Sequence, residues 1–384
     1  MSNSQLQTKW PILLSHPWSN TAESSFLGDT LDESGDFELY GIKNALELKG
    51  ATVYQPDKVM YGSNENRGKL LYKRCSGDSL LERLCEQGDG EVIDGVHLAV
   101  KNYCEVTEKR QKLNFESIEA CKKGLKFNVI CHSQGCLDSR YMMAAITNEY
   151  SGEPMFKHVV SWTSLAGANK GTALADWVLD RLAICLTETC KSLILDLALG
   201  VNSFSANKSL ILAGTESIQA LSRHYILEST DMSCEPGRGR DCPPSFNQRY
   251  PLVNDPNNPI LYRSYSIQID DVTHPCFLAV RPFWEIVKHY EGVNDGYISV
   301  DSQQFTTYGA GTTGGVTPVI ARHLSGISTK ASKPHPGLDH MAFSSSKAPG
   351  LPNVSCLGED NSHLSFSRVM FFSELVAELV RDGY

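Results

Sequence analysis

The sequence lacks any long apolar run, any excess of positive charge and any internal repeat. A membrane span needs about 20 apolar residues, whereas one of the longest apolar stretches, residues 192–200, already contains Asp196. Acidic residues outnumber Lys and Arg by 44 to 35, for a net charge of −9, so we do not expect nucleic acid as the main partner. With 384 residues, 41% of them hydrophobic, the chain is long enough for one large core or two smaller ones.

No Cys-x-x-Cys pair occurs among the 12 cysteines, so their spacing argues against a zinc site. Close pairs such as Cys185/Cys190 and Cys234/Cys242 instead favour an oxidising compartment. The first nine residues contain no basic segment followed by an apolar one, as a signal peptide would. We therefore expect either the mature form of a secreted protein or, as the alternative, a cytoplasmic protein.

Short apolar runs alternate with longer amphipathic stretches along the chain. The runs predict buried strands and the stretches predict helices, which together indicate an α/β fold with a mostly parallel, helix-covered sheet. Apolar helices predicted at about 174–221 belong either to the core or to a movable cap. Strands are predicted at 10–14, 51–54, 126–131 and 158–163, and helices at 36–49, 91–110, 136–150 and 365–381.

The strongest chemical signal is the segment 127–136, Phe-Asn-Val-Ile-Cys-His-Ser-Gln-Gly-Cys. A buried strand that runs through x-His-Ser-x-Gly into a helix is the context of a nucleophile elbow. The turn would expose the hydroxyl of Ser133, and the helix N-terminus would favour a developing oxyanion, with the N–H of Gln134 as one donor. Cys131 replaces the first Gly of the pattern, and the alternative is a serine that merely caps a helix.

A nucleophilic serine needs a base, and the base needs an orienting acid, in the chain order Ser, acid, His for this architecture. Asp295, in a glycine-flanked loop, and His340, in a polar loop before the last helix, have the expected positions. The loop after the first strand either is only a turn or supplies a second oxyanion donor, the N–H of Trp18, because Pro17 has none. Rival candidates are Asp270, Asp271 and Asp301 for the acid, and His274, His323, His335 and His363 for the base.

Six segments taken together resemble the bacterial secreted triacylglycerol lipases of the Pseudomonas and Burkholderia type. They include the N-terminal strand, the elbow and the acid loop, and they lie at residues 8–16, 40–54, 63–71, 131–141, 163–172 and 294–296. The resemblance implies a single α/β-hydrolase domain over residues 1–384 with a helical cap or lid at about 174–221. Relative to that family, the chain has surface insertions at about 76–110 and 228–260.

For the site, the resemblance implies Ser133 as nucleophile, Asp295 as acid and His340 as base, with Trp18 and Gln134 as oxyanion donors. It implies a serine carboxylester hydrolase, most specifically a triacylglycerol lipase that acts on lipid at a lipid–water interface. A polyester depolymerase, a short-chain carboxylesterase, a phospholipase or an acyltransferase would share the triad, and a non-catalytic binding module is the alternative from another class. The cap would either open at a lipid surface or stay fixed.

Departures from the family concern the metal and some neighbouring positions. The resemblance implies a structural calcium beside the catalytic His, but Ala342 stands where one of its Asp ligands is expected. Asp270 or Asp271 alone would make a poor calcium site, so we expect no required cofactor and leave calcium as a possibility. Asn169 replaces a His that the family commonly has, and Pro17 replaces a Gly.

The cysteines also depart from the family, whose single disulfide does not map onto this chain. We expect Cys131 and Cys136 to be free thiols that pack the tight crossing of strand and helix at the elbow. Disulfides would fix the cap and the insertions and partly replace the calcium. The expected pairs are Cys75/Cys85, Cys185/Cys190 and Cys234/Cys242, and Cys104, Cys121, Cys276 and Cys356 are left unassigned.

Overall fold

A computed structural model describes most of the chain. The described residues are 6–19, 21–25, 41–76, 90–199, 208–234, 241–253, 255–305, 319–325, 327–328, 335–344 and 364–384. The strands are β1 (Ile12–Ser15), β2 (Val53–Tyr54), β3 (Arg74–Cys75), β4 (Val92–Asp94), β5 (Phe127–His132), β6 (Val159–Leu165), β7 (Leu261–Ser266), β8 (Ile320–His323), β9 (Ile327–Ser328) and β10 (Leu364–Ser365).

Helices connect these strands and flank them. They are α1 (Ala22–Ser25), α2 (Ile42–Glu47), α3 (Asn64–Tyr72), α4 (Val96–Glu105), α5 (Thr107–Lys112), α6 (Ile118–Gly124), α7 (Gln134–Ala145), α8 (Ala173–Ile184), α9 (Glu188–Leu199), α10 (Lys208–Leu221), α11 (Phe246–Arg249), α12 (Arg281–Glu291), α13 (Val300–Gln304) and α14 (Arg368–Arg381). Short 3₁₀ turns occur at Met155–His158, Pro275–Phe277 and His340–Phe343. Within the described residues, no helix is long and apolar enough to cross a membrane.

Six strands form one sheet in the order β2-β1-β5-β6-β7-β8, and every neighbouring pair is parallel. Every residue of β5 is buried, as a parallel strand covered on both faces requires. Successive side chains point to opposite faces, so Val129 packs with α4 and α6 while Ile130 packs with α2 and α14. The α/β fold expected from the sequence is confirmed.

The segment expected to form a cap contains α8, α9 and α10, apart from residues 200–207, which lie outside the described residues. Thr172 starts α8, because its hydroxyl accepts a hydrogen bond from the N–H of Leu174. α8 packs against α10 and α12. The apolar cluster of these helices also includes the partly buried rings of Trp18 and Tyr297. The extent of the single domain and of its insertions stays a prediction.

The helix predicted over 91–110 begins later than expected. β4 pairs antiparallel with β3 in a two-stranded sheet, and α4 starts only after Gly95, which has φ 105°. A Cβ on Gly95 would lie 2.5 Å from the carbonyl oxygen of Tyr72, so this close approach of two backbones requires glycine. Residues 77–89 of the same predicted insertion lie outside the described residues.

Two of the expected disulfides are present, and the expectation of free thiols at the elbow is contradicted. Cys185–Cys190 and Cys234–Cys242 are bridged as predicted, and Cys104–Cys121 forms a further bridge that had no assignment. The prediction that Cys131 and Cys136 are free is wrong, because the structure joins them. The turn brings their Cα atoms to 4.9 Å, within disulfide range. Cys75 and Cys276 are also disulfide-bonded, while Cys85 and Cys356 lie outside the described residues.

Candidate active site

Ser133 lies in a strained turn between β5 and α7. Its backbone angles, φ 54° and ψ −128°, are rare for any residue with a side chain. Two backbone hydrogen bonds stabilise this conformation. The N–H of Ser133 donates to Leu165, and its carbonyl accepts from Cys136, both at 3.1 Å. A Cβ on Gly135 would lie 2.5 Å from the carbonyl oxygens of Ser15 and His16. The elbow therefore packs directly on the loop that follows β1.

His340 lies between Ser133 and Asp295. Its Nε2 is 2.8 Å from Ser133 Oγ, and its Nδ1 is 2.7 Å from Asp295 Oδ2. Asp295 is fully buried, and its Oδ1 accepts hydrogen bonds from the N–H groups of Tyr297 and Ile298 at 3.0 and 2.8 Å. The backbone N–H of His340 also donates to the carbonyl of Asp295 at 2.9 Å. These contacts form a continuous hydrogen-bonded series of a serine, a histidine and an aspartate, the arrangement that nucleophilic catalysis by serine requires.

The rival acids and bases lie elsewhere and have other partners. Asp270 and Asp271 are exposed, and their carboxylates accept hydrogen bonds from Gln268 and Thr273. Asp301 is exposed and forms an ion pair with Lys170. His274 caps a 3₁₀ turn, His323 contacts the hydroxyl of Ser266, and His335 accepts from the N–H of Gly337. His363 lies outside the described residues.

Gln134, the first residue of α7, is fully buried beside Ser133. Its side-chain amide donates to the carbonyl of Gly62 at 3.2 Å and to Asn64 Oδ1 at 2.9 Å. The backbone N–H of Gln134 belongs to the first turn of the helix, where N–H groups have no partner within the helix and the macrodipole favours negative charge. A fixed side chain keeps this N–H in place next to the serine.

Trp18 lies in the loop after β1, and buried charged side chains form hydrogen bonds with the backbone of this loop. Lys58 Nζ donates to the carbonyl of His16 at 2.9 Å, and the Arg67 guanidinium donates to the carbonyl of Pro17 at 3.0 Å. Asp138 Oδ2 accepts from Lys58 Nζ at 2.8 Å and from Arg67 Nε at 2.9 Å. All three charged side chains are fully buried. The ion cluster therefore sets the path of the loop that carries Trp18.

Sequence reasoning missed these supporting residues. Arg67 lies inside a segment that resembles the lipases, and Asp138 follows the elbow on α7, but neither position indicates a contact with the other. Burial lowers the pKa of Lys58 to about 8, although Asp138 opposes that shift. Burial also holds the pKa of His16 well below its usual value, so this ring is neutral. No pattern in the sequence predicts that Lys58 is buried at all.

Little of the catalytic candidates is exposed, since Ser133 and His340 each have 6% of their surface accessible. The Tyr297 ring lies 5.6 Å from the ring of His340, and Trp18 packs edge-on against Tyr61 at 5.9 Å. These aromatic rings join the same apolar cluster as α8 and α10. The helices α8 and α10 thus contribute to the apolar surroundings of the candidate site.

The region considered for calcium does not offer a suitable set of ligands in the described part of the chain. Among the described residues, no three His, Cys, Asp or Glu side chains cluster in a way that could hold a metal. The carboxylates of Asp270 and Asp271 are engaged by neighbouring side chains, and Ala342 has no donor atom. Hard cations need six or more oxygen ligands, so these residues do not fit the site of the family.

Two solved structures share this fold over nearly their whole length. The lipase of Staphylococcus hyicus is 15% identical, with a TM-score of 0.54, and the match covers 100% of this chain and 99% of that chain. Lipase 1 from Pelosinus fermentans is 15% identical, with a TM-score of 0.51 and coverage of 97% and 99%. No protein-family model matches the sequence, and no match is found among curated proteins. The chain has the α/β-hydrolase fold; membership of the Pseudomonas and Burkholderia lipase family is not confirmed.

Proposed function

We propose that the chain is a carboxylic ester hydrolase in which Ser133 is the nucleophile. The observation that carries this proposal is the hydrogen-bonded series from Ser133 Oγ through the imidazole of His340 to Asp295, with distances of 2.8 and 2.7 Å. The strained elbow and the adjacent helix N-terminus support it, because an acyl-transfer site needs a hydroxyl held at a tight strand–helix turn and donors for an oxyanion.

In the proposed reaction, Ser133 Oγ attacks the ester carbonyl while His340 Nε2 takes the hydroxyl proton. The tetrahedral intermediate collapses to an acyl-enzyme, and His340 returns the proton to the leaving alcohol. Water then attacks the acyl-enzyme by the same route and releases the acid. Asp295 keeps the proton of the neutral imidazole on Nδ1 and stabilises the imidazolium that forms in each step.

The backbone N–H groups of Trp18 and Gln134 are the proposed donors to the oxyanion. Gln134 is supported by its position at the first turn of α7, and Trp18 by the loop that packs on Gly135. Loss of one such donor costs about 100- to 1,000-fold in rate. Lys58 and Arg67 hold the carbonyl groups of this loop and so keep the donor in place before the charge develops.

For the substrate, we propose a long-chain acylglycerol at a lipid–water interface, with export from the cell. The lipid substrate is supported by the apolar cluster that joins α8 and α10 to Trp18 and Tyr297. Export is supported by the disulfides, which are rare in cytosolic proteins. The cap would act as a lid that opens at lipid. A short-chain carboxylesterase, a polyester depolymerase or a phospholipase is the second candidate, because the same triad serves each of them.

Labelling with a fluorophosphonate tests the nucleophile. Wild-type protein should incorporate one label per chain, and Ser133→Ala should incorporate none. Ser233→Ala, at an exposed serine in the loop after α10, is the matched control and should label as the wild type does. Wild-type protein that stays unlabelled, or label that persists in Ser133→Ala, would remove the basis of the proposal.

A series of nitrophenyl esters from two to sixteen carbons tests the substrate class. A lipase should reach its highest kcat/KM with long chains, and an esterase with short ones.

The same series in the presence of EDTA tests the proposal that no metal is required, for which we expect unchanged rates. A loss of activity that added Ca²⁺ restores would contradict it.

A further inference from the structure

His132 directly precedes Ser133 and contacts the base of the proposed triad. Its Nε2 lies 3.1 Å from the backbone carbonyl oxygen of His340. The two imidazole rings are tilted by 34°, with centroids 4.9 Å apart. On its other side, the ring of Phe343 approaches edge-on at 5.9 Å. His132 thus lies between the elbow and the short 3₁₀ turn that carries His340.

The tautomer of His132 follows from its surroundings. The side chain is fully buried at the end of β5, and burial together with the nearby His340 holds its pKa well below the usual value. The ring is therefore neutral and has one N–H. Because a carbonyl oxygen can only accept, the proton must be on Nε2. Nδ1 is left as a buried acceptor without a hydrogen-bond partner in the described structure.

We propose that His132 is a positioning residue for the reaction, whose Nε2–H fixes the backbone of His340 and thereby aims the catalytic imidazole. The proposal rests on the ester hydrolase function given above. Two hydrogen bonds then hold the peptide groups of His340, since its N–H donates to the carbonyl of Asp295 and its carbonyl accepts from His132. The second bond ties the base to the residue next to the nucleophile.

This link matters because the elbow and the turn belong to distant parts of the chain. His132 and His340 are 208 positions apart, and His340 begins a 3₁₀ turn of only four residues. A displacement of about 1 Å between base and nucleophile can lower a rate by about 100-fold. A direct bond from the neighbour of the nucleophile to the backbone of the base limits such a displacement.

Three variants separate the hydrogen bond from simple packing. The amide nitrogen of His132→Gln is as many bonds from Cα as Nε2 of histidine is, so it can donate to the same carbonyl. The amide nitrogen of His132→Asn corresponds to Nδ1 and cannot reach it. His132→Phe keeps the ring and its contacts but has no donor. Gln and Asn have the same polarity, and they form the matched pair.

We measure kcat and KM of each variant with a soluble nitrophenyl ester and count the active sites by fluorophosphonate incorporation. His132→Gln should keep kcat per labelled site within about 3-fold of the wild type. His132→Asn and His132→Phe should lose about 10- to 100-fold in kcat, with KM changed by less than about 3-fold. Dividing by labelled sites removes any loss that comes from misfolded protein.

The results against the proposal are also distinct. Full activity in His132→Phe, equal losses in His132→Gln and His132→Asn, or losses explained by fewer labelled sites would assign His132 to packing alone and overturn the proposal. Wild-type protein without any label would instead contradict the hydrolase function. The failure of one proposal can therefore be told from the failure of the other.

Discussion

The buried side chain of Lys58 affects both the loop that carries Trp18 and the stability of the fold. Lys58 is enclosed with two oppositely acting neighbours, the carboxylate of Asp138 and the guanidinium of Arg67. Burial lowers the pKa of its ammonium group from 10.5 to about 8. The desolvation of this ammonium group lowers the stability of the folded state. The group offsets part of that loss by donating three hydrogen bonds, to Ser15, His16 and Asp138.

At this scale we predict that Lys58 makes folding stability depend on alkaline pH. Between pH 8 and 10.5 the unfolded chain binds a proton that the folded chain has released, so the free energy of unfolding rises with pH. The rise is at most about 1.4 kcal/mol per pH unit, and the contribution is lost as the pH falls through 8. Lys58→Met removes this titration and leaves Asp138 paired with Arg67. The free energy of unfolding, measured by urea denaturation at pH 8, 9 and 10, should therefore rise less with pH in Lys58→Met than in the wild type. An equal rise in both proteins would contradict the prediction.

At the scale of elements, the elbow is a junction of β5 and α7 closed by a disulfide. Cys131 is the second-last residue of β5, and Cys136 lies in the first turn of α7. The loop closed by their bridge therefore contains Ser133. A bridge of the same span joins the end of α8 to α9, since Cys185–Cys190 also has a sequence separation of 5. The two bridges close loops of equal length and differ in what the loop contains.

We predict that these two bridges have equal effects on stability and unequal effects on activity. In the chain-entropy picture, a loop of this length contributes about 2 kcal/mol, so replacing either pair by two alanines should lower the free energy of unfolding by a similar amount. Only the Cys131→Ala, Cys136→Ala variant should lower kcat, because its loop contains the proposed nucleophile. Denaturation curves and kinetics with a soluble ester measure both quantities. Equal kcat in the two variants would show that the elbow keeps its shape without the bridge.

For the whole molecule, the notable surface is that of the segment that contains α8, α9 and α10. Four large apolar side chains of this region are exposed: Ile184 by 77%, Leu186 by 96%, Leu193 by 69% and Leu212 by 63%. Exposed apolar groups concentrated in one region are typical of surfaces that meet a membrane or a partner. With the proposed lipid substrate, this side of the molecule would be the one that faces the interface.

We predict that Leu186→Asp weakens action on emulsified long-chain ester by about 10- to 100-fold and leaves the rate on a soluble ester unchanged. Moving one leucine from water into lipid is worth about 1.5–3 kcal/mol, and 1.4 kcal/mol corresponds to a factor of ten. Met370→Asp is the control, because Met370 is 63% exposed on α14, a helix that packs on α2. Equal losses in the two variants, or none in Leu186→Asp, would contradict a role of the cap in lipid contact.

The sequence by itself determined the alternation of strands and helices and the strand–turn–helix around Ser133. Both are local properties, since a strand and a helix differ in apolar period and a tight turn needs small residues. The sequence also indicated the pairs Cys185/Cys190 and Cys234/Cys242 from their short separations. It indicated Asp295 and His340 as well, but only from chain order and resemblance, with three rival acids and four rival bases left open.

Only the tertiary structure decided which of the described candidates meet. Asp295 and His340 contact each other because their two loops pack on the segment that follows β7, where the N–H of Ile269 donates to the carbonyl of Asn294 and the N–H of Leu338 donates to the carbonyl of Gln268. No local pattern encodes that approach. The contact of His132 with His340 likewise joins distant parts of the chain. The bridge of Cys131 with Cys136 is local, but it depends on the geometry of the elbow turn, which the residue types alone do not give. The burial of Lys58 between Asp138 and Arg67 is likewise a product of three segments packing together, because the free energy of a buried charge depends on all of its neighbours at once.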